Sequence, residues 1–152
     1  MKIKRFIFNS FQENTYVLYD DSKECVIIDP GCYEVSEEIE LEKFINENKL
    51  TPVILLNTHC HIDHILGNQF VSDKWKVELQ IHKKDITLLE NARQVSEMYG
   101  LKNYSGSPYP KSFLRDGDTI TFGKNKLDVL FTPGHAPGHI CFYSKENNFI
   151  IS

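Results

Sequence analysis

The sequence has no long apolar run, no basic stripe and no Cys-x-x-Cys pair, and each absence excludes a class of function. The longest apolar stretch, Val53–Leu56, falls far short of the roughly 20 residues that span a bilayer. Lys2, Lys4 and Arg5 could open an export signal. Only Phe6–Phe8 follows them, against the roughly 7–15 apolar residues such a signal needs. The expectation is a soluble, cytoplasmic protein with no membrane partner. Lys and Arg number 17 against 21 Asp and Glu, a net charge of −4, which offers no electrostatic footprint for nucleic acid. Cys25, Cys32, Cys60 and Cys141 read as reduced thiols, with Cys25 and Cys141 as small buried hydrophobes in strand-like runs. Repeats and low-complexity tracts are absent. The 152 residues therefore read as one domain, 1–152, whose 41% hydrophobic content supports a core.

The N-terminal third patterns as strands: Lys2–Phe8, Thr15–Tyr19 and Cys25–Asp29, with a hairpin turn at Asp20–Lys23 and a break at Pro30-Gly31. Val35–Lys49 predicts a helix capped by Ser36, with Ile39, Leu41, Phe44 and Ile45 as its apolar face. Val53–Leu56 reads as a strand buried on both faces. A short helix over Ile65–Val71, a strand at Val77–Ile81 and a longer helix around Lys84–Met98 follow. Gly100–Ser112 is a loop and the candidate lid, and with Tyr104 and Tyr109 it is a candidate to line the mouth of the site. The remainder alternates as β: Thr119–Phe122, Lys126–Phe131, His139–Tyr143 and Phe149–Ile151. This order suggests an α+β domain with helices packed on a largely antiparallel sheet.

Chemistry concentrates in Thr58-His59-Cys60-His61-Ile62-Asp63-His64, straight after the buried strand. Imidazole nitrogen and carboxylate oxygen are ligands for a borderline divalent metal such as zinc. In an extended loop His59 and His61 point the same way, while Cys60 points away. The spacing differs from the helical His-Glu-x-x-His arrangement, so this is a loop site. A second piece, Phe131-Thr132-Pro133-Gly134-His135, presents His135 from a tight turn at a strand end. Three histidines with one open position describe a catalytic zinc. His82 and His139 read as structural or surface residues.

THCHIDH resembles the His-x-His-x-Asp-His signature of the metallo-β-lactamase superfamily, and FTPGHAPGH resembles the turn that delivers its next histidine. Asn14-Thr15-Tyr16 and Ile28-Asp29-Pro30-Gly31 resemble that family's early strands. The similarity covers essentially the whole chain and is nearest to glyoxalase II-like (hydroxyacylglutathione hydrolase-like) proteins. The resemblance implies a metallo-β-lactamase-type αβ/βα sandwich and one metal on His59, His61 and His135. Asp63 and His64 would begin a second site, Asp63 would orient the nucleophile, and Asp29 would steady the ligand loop from behind. The implied cofactor is zinc, one or two ions, with iron or manganese as substitutes. The implied activity is a hydrolase using metal-bound hydroxide on a small thioester. A mononuclear-iron persulfide dioxygenase and a non-catalytic metal-binding module are the alternatives.

In that family the strand matching Phe149–Ser152 runs into Gly-Asp, whose aspartate bridges two metals, and a further histidine follows. This sequence ends at Ser152, before both. The expectation is the N-terminal portion of a family member, weakly active at best, which self-associates through an uncovered sheet face.

Overall fold

Alternation along consecutive strands sorts the core into two layers. In the computed structural model, which describes residues 1–152, Val17, Cys25, Ile27 and Leu55 face one cluster. Their neighbours Leu18, Val26, Ile28 and Leu56 face the other. A period of two places successive side chains on opposite faces, so this sheet is covered on both sides. Its six strands are β1 (Lys2–Phe8), β2 (Glu13–Tyr19), β3 (Glu24–Ile28), β4 (Thr51–Leu56), β5 (Leu79–His82) and β6 (Ser112–Leu114), in that spatial order. One face carries α1 (Val35–Glu47), α3 (Asn68–Trp75) and α4 (Ile86–Met98) through Leu41, Ile45, Val71, Leu89 and Ala92. The other packs on a second sheet of β7 (Thr119–Phe122), β8 (Asn125–Phe131), β9 (Ile140–Ser144) and β10 (Phe149–Ile151), in spatial order β10-β9-β8-β7. Phe122, Leu127, Val129, Ile140 and Phe142 fill the gap between the sheets.

The first sheet is mixed rather than largely antiparallel. β1, β2 and β3 pair antiparallel, but β3–β4, β4–β5 and β5–β6 are parallel. Helical crossovers between them impose that sense. β6 begins at the end of the expected loop, too short to stand out as a strand pattern. The expected helix at Ile65–Val71 is two: α2 (Ile62–Ile65) and α3, separated at Gly67. Gly67 donates its N–H to the Pro30 carbonyl at 2.7 Å. A Cβ at Gly67 would lie 2.3 Å from Cys32 Sγ, so only glycine lets the chain pass there. Helix α1 is capped at Glu34 rather than Ser36: the Glu37 carboxylate accepts the N–H groups of Glu34, Tyr33 and Asn9.

The outer face of the second sheet keeps Leu130 and Ile150 exposed, around a shallow groove of 340 Å³ that Tyr143 and Phe149 also line. The sheets are tied at one end by Asp20, whose carboxylate accepts Lys124 N at 2.9 Å and Asn125 Nδ2 at 2.8 Å across the gap. Its hydrogen bonds, Ser22 foremost, hold the carboxyl down to about 2. Asp20→Ala should lower unfolding free energy by about 1 kcal/mol, a modest figure for an accessible group. A depressed carboxyl stabilises above its unfolded value, so the difference between the two proteins should be full at pH 5–7. It should vanish as the pH falls through about 2, and denaturant melts across that range test the sign.

Candidate metal centre

β4 ends at Leu56, β5 beside it runs parallel and ends at His82, and β8 ends at Phe131, so three strands deliver their following loops to one edge of the sandwich. Segment 57–64 leaves β4, and Ile140 N at the start of β9 donates to Thr58 O at 2.9 Å, which draws the His135 turn alongside. The rings of His59, His61 and His135 meet there, with centroids 4.7–4.8 Å apart. One nitrogen from each lies within 4.8 Å of the others. His61 Nδ1 stands 3.1 Å from His135 Nε2. His59 Nε2 is buried without any hydrogen-bond partner, an arrangement that nitrogen lone pairs tolerate when a cation sits among them. The set therefore fits a divalent metal, with His59 buried, His61 half-buried and His135 exposed on the open side.

The tautomer of His59 follows from its neighbours. Asp29 Oδ2 lies 2.6 Å from Thr58 Oγ1 and, as a carboxylate, has no hydrogen to give, so the hydroxyl donates to it. Thr58 Oγ1 must then accept from His59 Nδ1, 3.0 Å away, which leaves Nε2 bare toward the centre. Burial, with the His64 ring beside it, pushes the His59 imidazole down to about 3 and keeps that lone pair available at neutral pH. Burial and His135 lower His61 as well.

Asp29 closes the loop from beneath. It is 1% exposed and also accepts Thr58 N at 2.7 Å and Asn57 Nδ2 at 3.3 Å. His64 Nδ1 stands 3.2 Å from Oδ2, the oxygen that also takes the Thr58 hydroxyl. Burial alone would raise the Asp29 carboxyl, but His64 and Thr58 outweigh it and the net direction is down. Burial opposes charge on His64 too, and Asp29 reverses it, so His64 is raised. Asp63 lies 3.4 Å from His64 Nε2 and is part-exposed. These two border the three-histidine set without belonging to it; His64 instead groups with Asp29 and Glu13.

The family model for the Metallo-beta-lactamase superfamily matches residues 9–152. The chain belongs to the metallo-β-lactamase superfamily. Among curated superfamily relatives, the Bacillus subtilis (strain 168) protein named probable metallo-hydrolase YqgX is 33% identical over 153 residues, spanning 100% of this chain and 70% of the relative. Hydroxyacylglutathione hydrolase GloC of Haemophilus influenzae is 31% identical, over 96% of this chain and 68% of its own. Of solved structures, the BLEG-1 B3 metallo-beta-lactamase superposes with a TM-score of 0.85 at 30% identity, covering 98% of this chain and 70% of that one. TTHA1623 in a di-iron-bound form gives 0.83 at 28% identity, covering 97% and 69%. The metallo-β-lactamase fold expected from the motifs is thus the fold observed, over about 70% of these relatives' length.

Two acids of this metallo-β-lactamase centre escape the motif. Glu13 is buried at the start of β2, with Oε2 accepting from Thr15 Oγ1 at 2.9 Å and Oε1 3.8 Å from His64 Nδ1. Burial, then the Asp29 charge, pushes its carboxyl up to about 10, so it carries a proton at neutral pH. The available signal was a glutamate in phase with buried Thr15 and Val17 on a strand, where glutamate is disfavoured. Asp85 is fully buried under the loops and looks in sequence like an ordinary helix cap. Among the remaining candidates, Cys60 is buried, its thiol raised by burial, and it belongs to the helix-side core. Tyr104 is buried with its hydroxyl 3.0 Å from Ser107 Oγ, whereas Tyr109 is exposed. His139 stacks edge-on to His59 at 5.1 Å, with Nδ1 held by Thr132. No helix is long and apolar enough to cross a membrane.

Proposed function

We propose that the chain is a metal-dependent hydrolase of small thioesters, with zinc as its metal. The observation that carries this reading is the convergence of three imidazoles, from His59, His61 and His135, with one side open to solvent. A divalent metal there would lower the pKa of a water to about 7 and polarise a carbonyl oxygen. The chain's own residues supply the rest. Asp29, through Thr58, keeps the His59 lone pair aimed inward. Asp63, part-exposed at the open side, would accept a hydrogen bond from the attacking water and hold it in line with the acyl carbon. His64, kept cationic-leaning by Asp29, steadies the Asp63 carboxylate at 3.4 Å. No serine or cysteine nucleophile is required. The relatives' names support the class: one is a hydroxyacylglutathione hydrolase.

Zinc-loaded protein should hydrolyse a hydroxyacyl-glutathione thioester and lose that activity on chelation. Asp63→Asn should lower kcat by about 10²–10⁴-fold, the range for a lost acid–base group, with KM nearly unchanged. Hydrolysis of a β-lactam in preference to the thioester would overturn the substrate assignment and leave the metal site standing.

A further inference from the structure

The carboxylate of Asp85 touches both loops that carry the three histidines. Its Oδ2 accepts the N–H of Cys60, between His59 and His61, at 2.8 Å. Its Oδ1 accepts the N–H of Gly138, three residues past His135. The residue is 0% exposed, and Gly138 lies so close that a Cβ there would stand 2.6 Å from Asp85 Oδ1 and 2.7 Å from its backbone nitrogen.

Its place in the chain makes this use informative. Asp85 is the N-cap residue of α4, where aspartate ordinarily accepts an N–H of its own helix. Here it makes no cap hydrogen bond. The side chain is turned away from the helix it begins and given over to backbone amides 25 and 53 residues distant in sequence. A carboxylate accepts two N–H groups without conflict, whereas the isosteric amide accepts one and presents a donor to the other.

We propose that Asp85 is the positioning residue of the metal site: by clamping Cys60 N and Gly138 N to one carboxylate it sets the separation between the His59–His61 pair and His135. It touches no ligand atom and acts through the two backbones. The inference rests on the three-histidine site proposed above.

The test is zinc affinity, measured by competition with a chromophoric chelator, for wild type, Asp85→Asn and Gly138→Ala. Both variants should keep their far-ultraviolet circular dichroism and bind zinc about 10–100-fold more weakly, the range for partners that orient metal ligands. The cobalt-loaded variants should also show weakened visible ligand-field absorption, as one histidine withdraws from the ion, a change that lost stability alone does not produce. Gly138 has a backbone conformation open to alanine, so the added methyl tests the close approach itself. In the wild-type protein stripped of metal, the Cys60 and Gly138 amides should be among the slow-exchanging protons. Wild-type zinc affinity and cobalt spectrum in either folded variant would overturn the proposal. Rapid exchange of both amides would overturn it even if neither variant folds. A wild-type chain that binds no zinc at all would instead count against the metal site, so the two failures are distinct.

Discussion

Replacing His59 by alanine is expected to empty the centre. Elemental analysis of purified wild type should give about one zinc per chain, and His59→Ala should give none after dialysis, because two exposed-side histidines make a poor site where three make a catalytic one. The loss should exceed the roughly 100-fold that removal of an outer partner carries. Zinc at about a hundred times its dissociation constant should stabilise the wild type by about 2.7 kcal/mol and leave the variant's melting temperature unmoved. Retention of zinc by the variant would sink the three-histidine assignment. Two metals per chain would bring Asp63 and His64 into use. Iron alone, with oxygen consumed on a persulfide, would replace the hydrolase reading by a dioxygenase one. Metal uptake without turnover would point to a binding module.

Asp29→Ala should be the most damaging single change to stability, about 3–5 kcal/mol, because a buried charge partner is removed and the groups it served are left behind. Thr58 N, the Thr58 hydroxyl and His64 all lose their acceptor at once. The pH dependence has two limbs of opposite sign. Asp29 is depressed in the folded chain, so its contribution is present at neutral pH and lost as the pH falls below its unfolded value of about 3.9. His64 is raised, so its share is complete below its unfolded value of about 6.5 and fades as the pH climbs through the folded one. The gap between wild type and variant should therefore be widest between about pH 4 and pH 6.5. Denaturant melts across that window check it; a gap under about 1 kcal/mol, typical of an exposed pair, would show that Asp29 is not the keystone of the loop.

What the sequence made legible was local chemistry. His59, His61, Asp63, His64 and His135 lie in two short motifs, and the loops that hold them meet at one edge, where His59, His61 and His135 group together. Strands with clean alternation, such as β2 and β3, were equally plain. Illegible were features whose cause lies elsewhere in the chain. The split between α2 and α3 is dictated by Pro30 and Cys32, over thirty residues earlier. β6 has three residues and acquires its identity only by pairing with β5. Glu13 and Asp85 look like a strand blemish and a helix cap until the fold carries them beneath the histidines.

Most hydrogen bonds of segment 57–64 run to other elements, beside a few internal ones such as Thr58 to His59 and Asn57 to the His64 carbonyl. Asp29 holds Thr58, Asn68 holds Asn57, Asp85 holds Cys60, Ile140 holds Thr58 from above, and Asn9 reaches the Asp63 carbonyl. The motif is therefore not a portable cassette. Grafted onto another strand end, the same eight residues would arrive without their moorings, and a transplant would have to carry five anchor points scattered from Asn9 to Ile140.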